Sequence, residues 1–536
     1  MHVFLVGPPG VGKSTIAPLL AARLGARAIE LDAEIERAAG KSCRDVIEVD
    51  GWDRFRDLES EAITRMRPSP SWAVIDAGGG AVIRDSNRAA MRSLGTIVGL
   101  KGSLAHITRG IAATMAKRPY GDLPAPERAR RVLRERRTAY ADADEVFRVD
   151  GASPEQLADR IAAWLVDVRG VRLDVVAAHP YAVVVRTGLY EEVGEGLREL
   201  GWTGKAVVVA DAEGTRLFGP AVATSLRRVG LPSALVRVGK GERAKSARSL
   251  ARLWSDLARA GLGRDGGVIA LGGGVVGDLA GFAAATYARG VRLAHLPTTL
   301  LAMVDSSIGG KTGIDLPEGK NLAGAFHAPD VTLADLSSLR TLPPRQVSAG
   351  LAEVIKSAFI ADRQSVAQLE RSIGDVRAGR LPATLAAVAM AASVKADIVG
   401  RDERESGLRK VLNFGHTFGH AYEAATSYRV LHGEAVALGM VFACALAEQL
   451  DLAPASLRAT VERLLRAAGL PIRAAVPSET WSYLGRDKKA RAGSVRWVLP
   501  RRIGRFSEVT DVGPAALRGA ARALADGAVG REGEAT

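Results

Sequence analysis

The run Gly7-Pro8-Pro9-Gly10-Val11-Gly12-Lys13-Ser14-Thr15 fits the pattern G-x-x-x-x-G-K-[ST]. It follows the apolar segment HVFLV at residues 2–6 and precedes a helical pattern, IAPLLAARLG. Strand, glycine loop and helix in that order constrain the fold more than any other feature of the chain. The backbone amides of such a loop, with a helix N-terminus behind them, form a concave anion site. The spacing gives Lys13 to the outer phosphates of a nucleotide and Ser14 to magnesium, with Gly10, Val11, Gly12 and Thr15 completing the cradle. Apolar runs at 72–80 and 95–100, with helical patterns between them, extend this into an α/β unit with a parallel sheet. Ser153 and Pro154 open the helix that closes it.

A fresh strand pattern begins at 171–188, so the boundary falls near residue 170. Buried-strand runs at 205–210 and 267–271 alternate with helices, and from about 335 the chain turns helical and alanine-rich. Three segments are expected: 1–168, 171–334 and 335–536. A chain of 536 residues is long enough for several domains. The net charge of +14 divides into +3 over residues 1–170 and +11 over the remainder. No long block of like charge accompanies it, and aromatics are only 5%, so nucleic-acid partners are not expected. No uninterrupted apolar run reaches the roughly 20 residues that span a bilayer, and the N-terminus lacks the basic leader of a signal peptide. Cys43 and Cys444 show no pairing pattern, which fits a reducing cytoplasm.

Beyond the loop, Asp32 is placed to hold a hydroxyl and take its proton. Arg56 and Glu59 sit three apart on one helix face. Gly78-Gly79-Gly80 follows a strand, Arg118 precedes a proline, and Arg136 lies four residues before Tyr140. In this order the segment resembles shikimate kinase over residues 1–168. The resemblance implies that Asp32, Arg56, Gly79 and Arg136 hold shikimate, the arginines on its carboxylate, and that Arg118 belongs to a lid over ATP. Three positions depart from the family pattern: Glu30 stands for the first Asp of D-x-D, Trp52 for the Glu after Gly51, and Thr138 for a Pro.

In the remainder, His416, His420 and His432 lie within seventeen residues, with Glu353 and Lys356 upstream in a helical stretch. A carboxylate and two histidines suit a divalent metal with open positions. Spacing allows either the pair His416/His420 or one of them with His432. Residues 272–278, GGGVVGD, follow an apolar strand as a loop able to approach a pyrophosphate. Residues 297–321 form a polar, glycine-rich stretch that reads as loop.

These segments, with GLAEVIK, DERESGLRKVLNFGHTFGH and LHGEAVALGM, resemble 3-dehydroquinate synthase across nearly all of 175–530. The resemblance implies Zn2+ (or Co2+) on Glu353, His416 and His432, with His420 left for substrate or proton work. It implies NAD held by Asp211, Glu242, Lys245, Gly273, Gly274, Val275, Val276, Gly277, Asp278, Thr298, Thr299, Lys311, Lys320 and Thr341. Substrate phosphate and carboxylate contacts would come from Arg289, Asp305, Lys311, Asn321, Lys356, Lys395, Arg409, Asn413, His420 and Lys488 or Lys489. Catalysis would then rest on Lys13 and Asp32 in the first half and on Arg289, Lys311, Lys356 and His420 in the second. Glu213 departs from the polar amide usual near the adenosine site.

The expected architecture is α/β throughout: a P-loop kinase domain with a parallel sheet, an α/β NAD-binding part, then a mainly helical metal-binding part. The implied activities are ATP- and Mg2+-dependent phosphorylation of shikimate and NAD-dependent, phosphate-eliminating closure of a seven-carbon keto acid phosphate to 3-dehydroquinate. A homodimer through the second half, small-molecule substrates and no membrane partner complete the expectation. The rival readings are another small-metabolite kinase, another sugar-phosphate cyclase, a metal-dependent alcohol dehydrogenase, and a regulatory protein that has lost both activities.

Overall fold

β1 (His2–Val6) is buried along its whole length, as an uninterrupted apolar strand must be when both sheet faces are covered. The computed structural model describes residues 1–113, 123–490 and 495–525, without the side chains of 486–490. The chain divides into two compact units, Met1–Val166 and Asp167–Thr536.

In the first unit β1 is central to a five-stranded sheet with β2 (Arg27–Glu30), β3 (Ala73–Asp76), β4 (Gly95–Lys101) and β5 (Glu145–Arg148). The strand order is β2-β3-β1-β4-β5, and every pair is parallel. The chain runs from β1 to β2 and β3 on one side of the sheet, then crosses to β4 and β5 on the other. That reversal opens a crevice at the carboxyl end of β1, where the phosphate loop sits. The last helix, Pro154–Trp164, starts with a capping box in which Ser153 and Gln156 satisfy each other's backbone donors.

The second unit carries a seven-stranded sheet of β6 (Val171–Val175), β7 (Tyr181–Arg186), β8 (Ala206–Ala210), β9 (Ser233–Arg237), β10 (Gly267–Gly272), β11 (Arg292–Pro297) and β14 (Val331–Asp335). Its order is β6-β7-β14-β11-β10-β8-β9. Only the edge strand β6 runs antiparallel. The stretch expected as loop after Thr298 folds instead into an antiparallel hairpin, β12 (Lys311–Leu316) with β13 (Gly319–Phe326). The alternation of its side chains was masked by its many glycines and charges. A second hairpin, β15 (Trp497–Arg502) with β16 (Arg505–Val509), interrupts the region expected to be helical.

Helices dominate from Pro344 onward. One of them, Leu381–Arg401, is long and apolar enough to cross a membrane by length and composition, although polar residues such as Lys395 and Asp397 interrupt it. Within the protein 83% of its apolar window is buried, so it is a core helix. The helices His416–Ala425 and His432–Gln449 cross at a glycine contact. A Cβ on Gly439 would stand 1.8 Å from the Gly415 carbonyl oxygen, and one on Gly433 would stand 1.9 Å from that of Ala349. The second contact seats the start of the His432 helix on the helix Pro344–Ala361. Only glycine permits such backbone approach, and overpacking at such points typically costs about 1–3 kcal/mol.

Gly439→Ala is therefore expected to lower the unfolding midpoint of the second unit by several degrees in calorimetry of the full chain, leaving the first unit's transition in place. An unchanged second transition would show that the helix crossing tolerates the methyl group.

Candidate active sites

In the first unit the phosphate loop runs from the end of β1 into the helix Lys13–Leu24, with Gly12 in the left-handed region at φ 102°. Lys13 is buried. Its ammonium donates to the Gly7 and Pro8 carbonyls at 3.0 and 3.2 Å, so the side chain folds over its own loop. Ser14 and Thr15 are exposed at the helix start. Asp32 lies in the first turn of the helix Leu31–Ala39. A Cβ on Gly78 would fall 3.1 Å from its Oδ1, and one on Gly79 would fall 3.1 Å from Pro9. The triple glycine thus lies between the acid and the phosphate loop. Arg136 donates to the Gly79 carbonyl at 2.7 Å, as does the Tyr140 hydroxyl at 2.5 Å. Arg56 pairs with the buried Glu59, whose carboxyl burial pushes above its ordinary range despite that partner. Asp32, Arg56, Gly79 and Arg136 are therefore brought together around one loop. Arg118 lies outside the described residues.

In the second unit Glu353, on the helix Pro344–Ala361, is almost completely buried. Neither of its carboxylate oxygens accepts a hydrogen bond from a described residue. One oxygen stands 3.5 Å from Nε2 of His416 and 3.5 Å from Nε2 of His432. The Lys356 ammonium forms an ion pair beside the other. Burial alone would raise the Glu353 carboxyl, but Lys356, His416 and His432 together outweigh it and keep the group ionised. Burial pushes the His416 imidazole down to about 3, leaving it the neutral donor a metal needs. Burial acts the same way on His432, yet the carboxylates of Glu353 and Glu423 on either side outweigh it and lift it to about 10. His416, His420 and His432 each offer a ring nitrogen within 4.8 Å of the others. A buried carboxylate that meets Lys356 through one oxygen and turns the other towards two imidazoles fits a divalent cation, since a buried anion needs its charge met from within the protein.

A cavity of about 630 Å³ opens from this cluster. It extends over the carboxyl ends of β8, β10 and β11, where ligands of parallel sheets bind. Gly273 and Gly274 start the helix Gly274–Thr286, whose N-terminal amides face the cavity. Asp211, Glu242, Lys245, Val275, Val276, Asp278, Thr298, Thr299, Lys320 and Thr341 line the same side. Lys245 is buried and donates to Asp278 at 2.8 Å and Asn321 at 2.6 Å. Burial opposes its charge, but Asp278 and Glu242 outweigh this and keep it protonated. Glu213 also lines the cavity and binds Lys240 at 2.9 Å, so its charge is met from within the unit.

Towards the helical wall, Asp305, Lys311, Asn321, Lys356, Lys395, Arg409, Asn413 and His420 line the cavity. Lys395 pairs with Asp305, and Lys311 with Glu405. Asn413 donates to Glu405 at 2.8 Å, and Arg409 donates to the Gly309 carbonyl at 3.0 Å.

Two expected site residues are not brought here. Arg289 is exposed, in the turn after the helix Gly274–Thr286, and does not line the cavity. The helix begins at the cavity and its 13 residues carry the chain about 20 Å away before that turn. Gly277, one turn into the same helix, faces His295, 3.5 Å from a built Cβ, and does not line the cavity. The side chains of Lys488 and Lys489 lie outside the described residues. Conversely, Glu405 and Glu423 were missed. Glu423 is buried, meets His432 Nδ1 at 3.1 Å and Lys320 at 3.3 Å. Its position three residues after His420 and seven after His416, on one helical face, was the available signal.

Family models match three stretches of the chain: shikimate kinase over residues 9–166, 3-dehydroquinate synthase N-terminal over 235–349 and 3-dehydroquinate synthase C-terminal over 350–490. The 3-dehydroquinate synthase of Symbiobacterium thermophilum is 46% identical over 349 residues, covering 64% of this chain and 98% of that protein. The structure of 2-epi-5-epi-valiolone synthase from Streptomyces hygroscopicus subsp. jinggangensis, with NAD+ and Zn2+ bound, aligns at a TM-score of 0.60 and 30% identity. It covers 65% of this chain and 97% of that one. A 2-deoxy-scyllo-inosose synthase complexed with carbaglucose-6-phosphate, NAD+ and Co2+ aligns at 0.59 and 26% identity, covering 65% and 98%.

A carboxylate that orients a ligating imidazole typically contributes about 10- to 100-fold to metal affinity. Glu423→Gln is expected to weaken Zn2+ retention by that factor in competition with a colorimetric chelator. Retention equal to the unsubstituted protein would remove Glu423 from the metal's support.

Proposed function

Since the chain belongs to the 3-dehydroquinate synthase family through its second unit and carries a shikimate kinase ahead of it, we propose that the two residue clusters described above are its two active centres. The chain is a bifunctional enzyme of the shikimate pathway. One activity transfers phosphate from ATP to shikimate, giving shikimate 3-phosphate. The other converts 3-deoxy-D-arabino-heptulosonate 7-phosphate to 3-dehydroquinate and phosphate.

In the kinase centre Lys13 and the loop amides meet the phosphates and stabilise the charge that develops on transfer, while Ser14 is the residue for Mg2+. Asp32 orients the attacking hydroxyl and accepts its proton. Arg56 and Arg136 grip the shikimate carboxylate, a task for which planar guanidinium groups are suited. Both stand beside the triple glycine, which supports a single binding pocket.

In the synthase centre Glu353, His416 and His432 would hold a divalent ion, Zn2+ or Co2+, and the Gly273–Gly274 helix start with Lys245, Asp278 and Lys320 would hold NAD. When bound there, these groups supply Lewis-acid polarisation of a substrate hydroxyl and a reversible hydride acceptor, so no net redox change occurs. The chain's own residues orient the substrate. Lys311, Lys395, Arg409 and Asn413 present donors to its phosphate and carboxylate, each keeping N–H groups beyond those its internal partners use. Lys356 and His420 flank the metal site and are placed to hold or move protons. The observation that carries this reading is the buried Glu353 carboxylate, which pairs with Lys356 through one oxygen and turns the other, without a hydrogen bond, towards His416 and His432 beside the nucleotide cavity. Two unpaired cysteines support a cytoplasmic setting, and a homodimer through the second unit belongs to the same reading.

Chelation of the full-length protein is expected to abolish phosphate release from the seven-carbon substrate, with recovery on adding Zn2+. Shikimate phosphorylation, assayed with Mg2+ restored, should be retained. Lys13→Ala should do the reverse, lowering shikimate phosphorylation by about 100-fold or more with dehydroquinate formation intact. Phosphate release that survives complete metal removal would sink the metal assignment.

A further inference from the structure

Trp52 stands where the kinase pattern has an acid, and no role above uses it. It lies in the first turn of the helix Gly51–Arg65, with Phe55, Arg56 and Glu59 following on the same face. The guanidinium carbon of Arg56 sits 5.1 Å from the centre of the Trp52 ring and 5.6 Å from that of Phe55. The two rings meet edge to face, with centroids 6.0 Å apart. Glu59 binds one guanidinium nitrogen. The Gly80 backbone closes another side so tightly that a Cβ there would fall 1.8 Å from Arg56. The Arg56 side chain is 13% exposed, whereas Trp52 remains 38% exposed. Arg56 is thus enclosed by two aromatic rings, one carboxylate and a glycine backbone.

The chemistry of those partners differs in one respect that matters for an anionic substrate. A carboxylate at position 52 would compete with the substrate for the same N–H donors and would cancel the remaining positive charge. An indole attracts the cation through its quadrupole and offers it no acceptor oxygen. It also restricts the rotamers of a long side chain that would otherwise lose entropy on binding. We propose that Trp52 is a positioning residue for Arg56: it holds the guanidinium plane against Gly80 and Glu59 while leaving donors available to the carboxylate of shikimate. This rests on the reading of Arg56 as a carboxylate-binding residue.

The test is steady-state kinase kinetics of the full-length chain, with shikimate varied at saturating ATP, for Trp52→Phe, Trp52→Leu, Trp52→Ala and Arg56→Lys. Trp52→Ala and Trp52→Leu are expected to raise the shikimate KM about three- to tenfold, the order of a partly desolvated cation–π contact. Values of kcat and of KM for ATP should stay within about twofold, because cation–π loss acts on binding and not on transfer. Trp52→Phe should restore a KM near that of the unsubstituted enzyme. Shikimate should also change tryptophan emission, and that change should vanish in Trp52→Phe. An unchanged KM for ATP and an unchanged first-unit transition in calorimetry report that the kinase unit of each variant is intact.

A KM for Trp52→Leu equal to the unsubstituted value would overturn the proposal, since packing alone would then suffice. So would a fall in kcat with KM unaltered. If Arg56→Lys leaves KM unchanged, the carboxylate-binding reading fails and this inference falls with it. If Arg56→Lys raises KM and Trp52→Ala does not, only the role of Trp52 is lost.

Discussion

A buried carboxylate without a hydrogen bond is the constraint around which the second unit is organised. Glu353 sits mid-helix among apolar neighbours, and an ion in that position is destabilising by several kcal/mol unless something meets its charge. Lys356 meets part of it from the same helix, and His416 and His432 face the rest from two others. Those three helices approach closely only because Gly415, Gly433 and Gly439 lack side chains where the backbones touch. The cluster is therefore a property of helix packing, with its geometry fixed by backbone contacts.

The charge pattern of the cavity follows from the same logic. Lys245, Lys311, Lys320 and Lys395 each have a carboxylate within ion-pair reach, so the cavity holds its cations in place before any ligand arrives. Pairing keeps long side chains ordered, and ordered donors lose less entropy when an anion displaces the internal partner. The excess of +11 after residue 170 is thus partly a binding device and partly solvated surface.

Much of this was legible in the sequence. The phosphate loop specified strand, turn and helix through local chemistry alone, and the spacing of His416 and His420 fixed their shared face. Residues whose roles depend on distant partners were harder. Glu423 shares a helical face with His416 and His420, but its partners His432 and Lys320 come from other elements, and Glu405 meets Lys311 from 94 positions away, a contact with no local signature. Arg289 shows the opposite relation, close to the glycine loop in sequence and away from the cavity in this chain. Its motif is contiguous with the glycine loop, but a helix separates them, and a helix converts closeness in sequence into distance in space. The hairpin β12–β13 was read as loop because its glycines and charges obscure strand periodicity, which backbone pairing restores.

The two units use one strategy at different scales. Each sets a helix N-terminus after a buried parallel strand to meet phosphate, and each adds cationic side chains from later segments. Those side chains differ in kind. The first unit gathers Arg56 and Arg136, whose planar donors define a direction, whereas the cavity of the second is lined chiefly by lysines, whose ammonium groups are compact point charges. Phosphoryl transfer needs a fixed acceptor, and elimination with ring closure needs a substrate that rearranges while still held. The two reactions are not consecutive in their pathway, so one chain gains no direct transfer of product between these centres; it guarantees instead that both are made together.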